Sequence, residues 1–339
     1  MNGNAITEDS VGSVYQNISQ LKLILKGKRV LITGATGLIG SALVNRLSLY
    51  GARTICPVRS LEKAQTIFDQ GVFASIEWVE TPLEGFLNGF SIDMDFIIHC
   101  ASPTASKFFV ERPVETMLFN TGTTTSLLEY CRRHCIKGMV YLSSLESYGT
   151  VLDDSKAITE DFQGYVNPFE VRSSYNMAKR ICESLCCAYA KEYGVPVKVV
   201  RLTQTISPHI NDSDMRVFAQ FARHAARGED IELHTEGNSA RQYIYIDDAV
   251  DAILCVLYWG LNGDVYNAAR EDSYISVYDM AKFVQENFNP SGRVVFRPRD
   301  DMGYAPTTKL KLSTEKLRKL GWEAKYSLYD MFESVISKK

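Results

Sequence analysis

Val30-Leu31-Ile32-Thr33-Gly34-Ala35-Thr36-Gly37-Leu38-Ile39-Gly40 decides the fold: an apolar run passes into closely spaced glycines and then into a helix expected over residues 41–50. A strand, turn and helix joined in this way form the phosphate-binding turn of a dinucleotide fold, because glycine permits a sharp turn and lets the backbone approach a pyrophosphate. The helix N-terminus then meets the phosphate charge. Gly34, Thr36, Gly37, Leu38, Ile39 and Gly40 are the expected contacts of that ligand. Taken alone, three glycines at these spacings also suit a plain tight connection between a strand and a helix.

Outward from this run, short β-rich segments alternate with helical stretches. The segments 29–33, 53–58, 96–100, 139–142 and 197–202 carry the β-rich composition. That alternation predicts an α/β chain: a Rossmann-type doubly wound parallel sheet with a smaller C-terminal substrate-binding region. Residues 28–203 are expected to form the dinucleotide-binding core, with 241–269 returning to it. Residues 204–240 and 270–339 are left for the substrate. Ahead of the first strand, Val11, Tyr15, Ile18 and Leu25 recur at near-helical spacing. Residues 1–27 therefore read as an added helix that packs on the fold or on a partner subunit.

Tyr175 and Lys179 stand four apart in a stretch, 173–193, whose alanines, leucine and cysteines favour helix. Both side chains then leave one face. An ammonium beside a phenol favours the phenolate and is expected to lower its pKa from about 10. Tyr175 is thus a candidate general base and acid. Ser144 follows a predicted strand, 138–142, at the edge where ligands gather in open α/β sheets.

At this point the chain resembles the extended short-chain dehydrogenase/reductase superfamily, in its nucleotide-sugar epimerase, dehydratase and decarboxylase branch. Thr33 to Gly40 resembles the family's Thr-Gly-x-x-Gly-x-x-Gly run, and Ile98-His99-Cys100-Ala101-Ser102 its strand-four signature. The resemblance makes Ser144, Tyr175 and Lys179 catalytic, sets Ala101 beside the cofactor and Ser102 beside the substrate, and adds Arg241 and Arg216 as substrate contacts. Gly237 to Asp248 looks like the segment whose arginine contacts the nucleotide diphosphate, and Val265-Tyr266-Asn267 like the strand that follows. It also implies a homodimer built on helices 114–134 and 173–193.

Members of this branch share a first step, oxidation of sugar carbon 4, and diverge after the catalytic Ser/Thr. In Ser143-Ser144-Leu145-Glu146-Ser147-Tyr148-Gly149 the chain carries Glu146 where dehydratases and UDP-glucuronate decarboxylases place a glutamate. A carboxylate there can take the carbon 5 proton that a neighbouring 4-keto group acidifies. Leu145 departs from the polar residue usual beside it. Val166-Asn167-Pro168 followed by Arg172 resembles the decarboxylase substrate loop, with Arg172 a partner for a carboxylate or phosphate. Gln204 replaces a common asparagine, and Tyr304 lies where an arginine often grips the nucleotide.

The implied cofactor is NAD or NADP. An acidic residue at the end of strand two usually bonds the adenosine ribose of NAD. Pro57-Val58-Arg59-Ser60 stands there instead. Arg59 suits a 2′-phosphate and tips the choice toward NADP, while Glu62 keeps NAD open.

The 339 residues carry a net charge of −3 without basic blocks, so no nucleic-acid partner is expected. No apolar run approaches the roughly 18 to 20 residues of a membrane span. Residues 1–10 do not read as a secretory leader. The eight cysteines show no metal-ligand spacing, so no metal is expected. A cytoplasmic protein with reduced thiols follows as the expectation. Three functional alternatives stay open beside carbon 5 chemistry: a plain 4-epimerase, an NADPH-consuming ketoreductase and a non-catalytic dinucleotide-binding regulator.

Overall fold

The computed structural model describes residues 14–89, 93–209, 214–298 and 307–337. Seven parallel strands form the central sheet: β1 (Arg29–Thr33), β2 (Arg53–Val58), β3 (Glu77–Glu80), β4 (Phe96–His99), β5 (Gly138–Ser144), β6 (Val197–Leu202) and β7 (Val265–Ala268). Their spatial order is β7-β6-β5-β4-β1-β2-β3, which reverses direction between β1 and β4. That reversal opens the crevice in which doubly wound sheets hold their ligands.

Side chains alternate across each strand, so the near-continuous apolar runs feed two cores. Val30, Ile32, Phe96, Ile98, Val140, Leu142, Val200 and Leu202 point to one layer. Leu31, Ile97, Met139, Tyr141, Val197 and Val199 point to the other. The first layer is closed by α1 (Val14–Leu25), α2 (Leu38–Leu49) and, further along the chain, helix Ile246–Trp259. The second is closed by α3 (Pro113–Arg133) and α4 (Ser174–Tyr193) through Leu127, Leu128, Cys182 and Cys186. Burial on both faces is what a parallel sheet requires.

The N-terminal helix packs on this fold: Leu21 and Leu25 of α1 are fully buried in the first layer. Val11 lies outside the described residues. Helix α2 starts at Leu38, earlier than the 41–50 expected from sequence, because extended Gly37 serves as its N-cap.

A third cluster lies beyond the sheet, where helices Val217–Ala226, Val277–Phe288 and Leu328–Ile336 bury Phe218, Phe221, Met280 and Phe332 together. Of the returning stretch 241–269, the helix and β7 join the main sheet. Tyr243–Tyr245 instead pairs with Gln204–Ile206 in a separate two-stranded sheet.

Candidate active site

The β1–α2 turn is shaped by two glycines. Gly34 has φ of +70°, and a Cβ there would lie 2.8 Å from the Ala101 backbone nitrogen. A Cβ on Gly40 would lie 2.1 Å from the Gly34 carbonyl oxygen. Larger residues at either position would push the turn apart, so the turn, the first turn of α2 and the strand after β4 meet only through glycine. Thr36, Leu38 and Ile39 are half-exposed and Gly37 exposed at this mouth. The first turn of α2 leaves backbone N–H groups free for an anion.

A buried chain of hydroxyls and an imidazole braces the same strand ends. The Ala101 N–H donates to Thr33 Oγ1 at 3.2 Å, and Thr33 Oγ1 lies 2.7 Å from His99 Nδ1. On the other side of the ring, Nε2 lies 3.2 Å from Thr124 Oγ1. Burial, with help from the Lys179 charge, holds His99 down to about 3, so the ring is neutral.

Four expected residues converge on Tyr175. Ser144 and Ser102 lie near enough to the phenol to favour its ionised form, and the charges of Glu146 and Arg172 act on it from opposite signs. Ser144 closes β5, where its Oγ also accepts the Glu146 N–H at 3.2 Å. That bond caps the short 3₁₀ turn Leu145–Tyr148 and turns Glu146 toward the helix. Asn176 donates to the Glu146 carbonyl at 2.8 Å and reaches its carboxylate at 3.4 Å. Ser102 is anchored by donating to Asn120 Oδ1 at 2.8 Å.

Lys179 is buried and donates to the Leu142 carbonyl at 2.8 Å, with its ammonium 5.5 Å from the Tyr175 ring centroid. The expected lowering of the phenol pKa is not what the chain produces. Burial is the largest influence and pushes Tyr175 up, the Glu146 charge adds to it, and Ser144, Ser102 and Arg172 only oppose it. Burial also lowers Lys179 to about 8. The covering residue, Phe109, lies in helix Ser106–Glu111 and stacks on the Tyr175 ring. Nothing in the spacing of the sequence pointed to it.

On the substrate side, Arg172 keeps a buried Nη1 with no hydrogen-bond partner, and Gln204 a buried Oε1 in the same condition. Arg241 sits half-buried in the short strand Ala240–Arg241. Arg216, expected as a substrate contact, is paired with Asp214, with Nη2 to Oδ2 at 2.6 Å, and reaches the Thr205 carbonyl at 3.4 Å. It braces the strand that begins with Gln204. Tyr304 lies outside the described residues.

Arg59 is exposed at the end of β2 and forms no hydrogen bond or ion pair among the described residues. The acid drawn to this edge is Glu80 of β3, which accepts the Leu61 N–H at 2.9 Å, whereas Glu62 stays exposed on the first turn of helix Leu61–Ile67. Glu80 was missed because only strand pairing, Val58 beside Glu80, brings it there. Cys131 is buried while Cys135 is exposed, and among the described residues no His, Cys, Asp or Glu cluster could hold a metal ion. No helix among them is long and apolar enough to cross a membrane.

A family model, that of the NAD dependent epimerase/dehydratase family, matches residues 30–269. UDP-glucuronic acid decarboxylase 5 of Arabidopsis thaliana is 28% identical over 319 residues, covering 91% of this chain and 88% of the relative. UDP-glucuronic acid decarboxylase 1 of Xenopus tropicalis is 27% identical over 87% of this chain and 68% of its own. Among solved structures, UDP-glucose 4-epimerase of Thermotoga maritima superposes with a TM-score of 0.79 at 23% identity, over 91% of this chain and 97% of that one. UDP-N-acetylglucosamine 4-epimerase of Methanobrevibacter ruminantium gives 0.78 at 18% identity, over 92% and 98%.

Proposed function

The chain belongs to the NAD dependent epimerase/dehydratase family and is an NAD-dependent nucleotide-sugar epimerase, dehydratase or decarboxylase; we propose that it oxidises sugar carbon 4 through Tyr175 and then works at carbon 5 through Glu146. The observation that carries this reading is that Asn176, next to Tyr175 on one helix, holds Glu146, while Ser144, Ser102, Glu146 and Arg172 all lie near enough to the buried phenol to act on its ionisation.

The cradle made by Gly34 and Gly40 fits a pyrophosphate, since the two glycines let the turn close against the first turn of α2 and the strand after β4, and the free N–H groups of that helix start suit an anion. The bound dinucleotide supplies the hydride acceptor and returns the hydride at the end of the cycle. Gly34 to Gly40 and Ala101 hold it, with Tyr175 and Lys179 against it. Ser144 orients the Tyr175 oxygen, which as the phenolate takes the carbon 4 hydroxyl proton and then, as the phenol, gives it back. Glu146, oriented by Asn176, takes the proton from carbon 5. Arg172 offers its unpartnered Nη1, and Gln204 its unpartnered Oε1, to the sugar; Arg241 faces the diphosphate. In this scheme residues 28–203 with 241–269 hold the cofactor, while 204–240 and 270–339 hold the nucleotide sugar.

Plain 4-epimerisation is favoured by one feature, Leu145. Its side chain is buried with Tyr148, Val151, Ile158 and Leu312, so position 145 offers no polar group for a leaving group or proton return. For the cofactor, the free, exposed Arg59 supports NADP. A homodimer is supported by Val114, Leu118 and Ile181, apolar side chains exposed on α3 and α4. The free cysteines suit a reducing cytoplasm.

The test is mass spectrometry of the purified protein incubated with UDP-, dTDP-, GDP- and CDP-sugars. Loss of water or carbon dioxide supports carbon 5 chemistry; unchanged mass with inverted stereochemistry identifies a 4-epimerase. Net consumption of NADPH identifies a ketoreductase. Tight binding without any turnover would leave a regulator and refute the proposal.

A further inference from the structure

The helix that carries Tyr175 also carries Glu183, two turns further along the same face. Its carboxylate is 8% exposed and is paired with Arg201, itself 5% exposed, at 2.8 Å. Arg201 Nε donates a second bond to the same carboxylate at 2.9 Å, and its Nη1 donates to the Glu160 carbonyl at 2.9 Å. Ser143 Oγ also meets Glu183, and Ser143 Oγ lies 2.9 Å from Ser147 Oγ. An ionised carboxylate only accepts, and each hydroxyl has one proton. The direction of the chain is therefore fixed: Ser147 donates to Ser143, and Ser143 donates to Glu183.

Ser143 and Ser147 bracket Ser144 and Glu146 in the sequence. Both ends of the reactive turn are thus tied to one carboxylate on the tyrosine helix. The outer side of the turn is held by Arg180 of the same helix, whose Nε donates to the Ser147 carbonyl at 2.7 Å and whose Nη2 donates to the Tyr148 carbonyl at 3.2 Å. A buried ion pair is weak evidence for stability, because desolvation offsets much of its attraction. Here the pair lies directly behind the proton-moving groups.

We infer that Glu183, oriented by Arg201, is a positioning residue that sets Ser144 and Glu146 at working distance from Tyr175 through the hydroxyls of Ser143 and Ser147. The inference rests on the proposed carbon 5 role of Glu146. It separates two kinds of grip: Tyr175 and Lys179 are held by their own helix and by Leu142, whereas the Glu146 turn, bonded to Arg180 and Asn176 on one side, is tied on the other by the hydroxyl chain.

Ser143→Ala is the cleanest test, since it cuts the link and leaves Glu183 paired with Arg201. A misplacement near 1 Å can cost about a hundredfold in rate. The variant is expected to keep its melting temperature and cofactor affinity and a KM near wild type, to lose about ten- to a hundredfold in kcat, and to lose solvent exchange at carbon 5 more than reduction of the cofactor by substrate. Amide hydrogen exchange of residues 144–149 should speed up, while that of helix residues 175–183 should not. Glu183→Gln, where it folds, should show the same order of losses. Wild-type kcat and wild-type amide protection of residues 144–149 in Ser143→Ala would overturn the inference. A wild-type enzyme without carbon 5 exchange would refute the Glu146 reading instead, and positioning would still be decided by the amide exchange and the rate of cofactor reduction.

Discussion

The Phe109 ring lies flat on the Tyr175 ring, with centroids 4.2 Å apart and planes 10° from parallel. The Ser174 hydroxyl fixes this contact by donating to the Phe109 carbonyl at 3.0 Å. A phenol covered in this way loses water, and burial is the main reason its proton is held tightly. The same cover excludes solvent from the place where a sugar hydroxyl would meet it.

Phe109→Ala is therefore expected to admit water and to bring the Tyr175 ionisation down toward about 10. The measurement is phenolate absorbance against pH, taken as the difference between Phe109→Ala and Phe109→Ala with Tyr175→Phe. An ionisation that stays where it is in the wild-type protein, read by the same subtraction, would show that Phe109 does not control it. Tyr175→Phe alone should preserve folding and cofactor binding while lowering turnover about 10²- to 10⁴-fold, the usual range for a positioned proton-transfer group.

Arg59→Ala should weaken NADP roughly tenfold and leave NAD nearly unchanged, because only NADP carries the extra phosphate that a guanidinium can clamp. Titration calorimetry with both dinucleotides measures it. Equal losses would remove Arg59 from the ribose site. In that case Glu80, which already reaches the N-terminus of the next helix through Leu61, becomes the residue to vary.

His99 makes a prediction about acid stability. Unfolded, the imidazole binds a proton below about 6.5. Folded, it stays neutral down to about 3, because it is buried between Thr33 and Thr124. Between those values the unfolded state binds more protons, so stability rises with pH, is fully present above 6.5, and is lost as pH falls toward 3. The loss is about 1.4 kcal/mol per pH unit for this group. The difference in unfolding free energy between wild type and His99→Gln, followed by urea denaturation from pH 7 to pH 4.5, should shrink as the pH falls. A difference independent of pH would mean that His99 titrates normally in the folded chain.

Much of the fold was legible because parallel strands buried on both faces are nearly all apolar. Val30, Leu31 and Ile32 serve two different cores and still read as one strand. The reactive residues were legible where they lie close in sequence, as Tyr175 and Lys179 do, or at the end of a strand, as Ser144 does. What stayed hidden depends on pairing at long range or on competition for a charge. Phe109 reaches Tyr175 only through tertiary packing, and burial outweighs the acidity expected from Lys179 alone. Arg216 was expected as a substrate contact, and its pairing with Asp214 emerged only from the structure. Glu183 looks like an ordinary helix-surface acid, and only the alignment of β6 with β5 brings Arg201 to it.

Glu146 separates lyase-like chemistry from plain epimerisation, and Glu146→Gln isolates its role. The carboxamide has nearly the shape of the carboxylate but cannot accept a proton near neutral pH, and the backbone bonds that hold the turn, from Asn176 to the 146 carbonyl and from the 146 N–H to Ser144, do not involve the changed atoms. Oxidation at carbon 4 should therefore persist, seen as reduced nicotinamide absorbance on mixing with substrate. The following step should fail, so that the 4-keto sugar accumulates on the enzyme. Removing a negative charge that acts on Tyr175 should also make the phenol more acidic, moving the rise of the carbon 4 oxidation rate with pH to lower pH. In heavy water the wild type should incorporate deuterium at carbon 5 and the variant should not. If the wild type completes its turnover without any exchange at carbon 5, the chemistry is confined to carbon 4, Glu146 acts only through its charge on Tyr175, and 4-epimerisation describes the protein better.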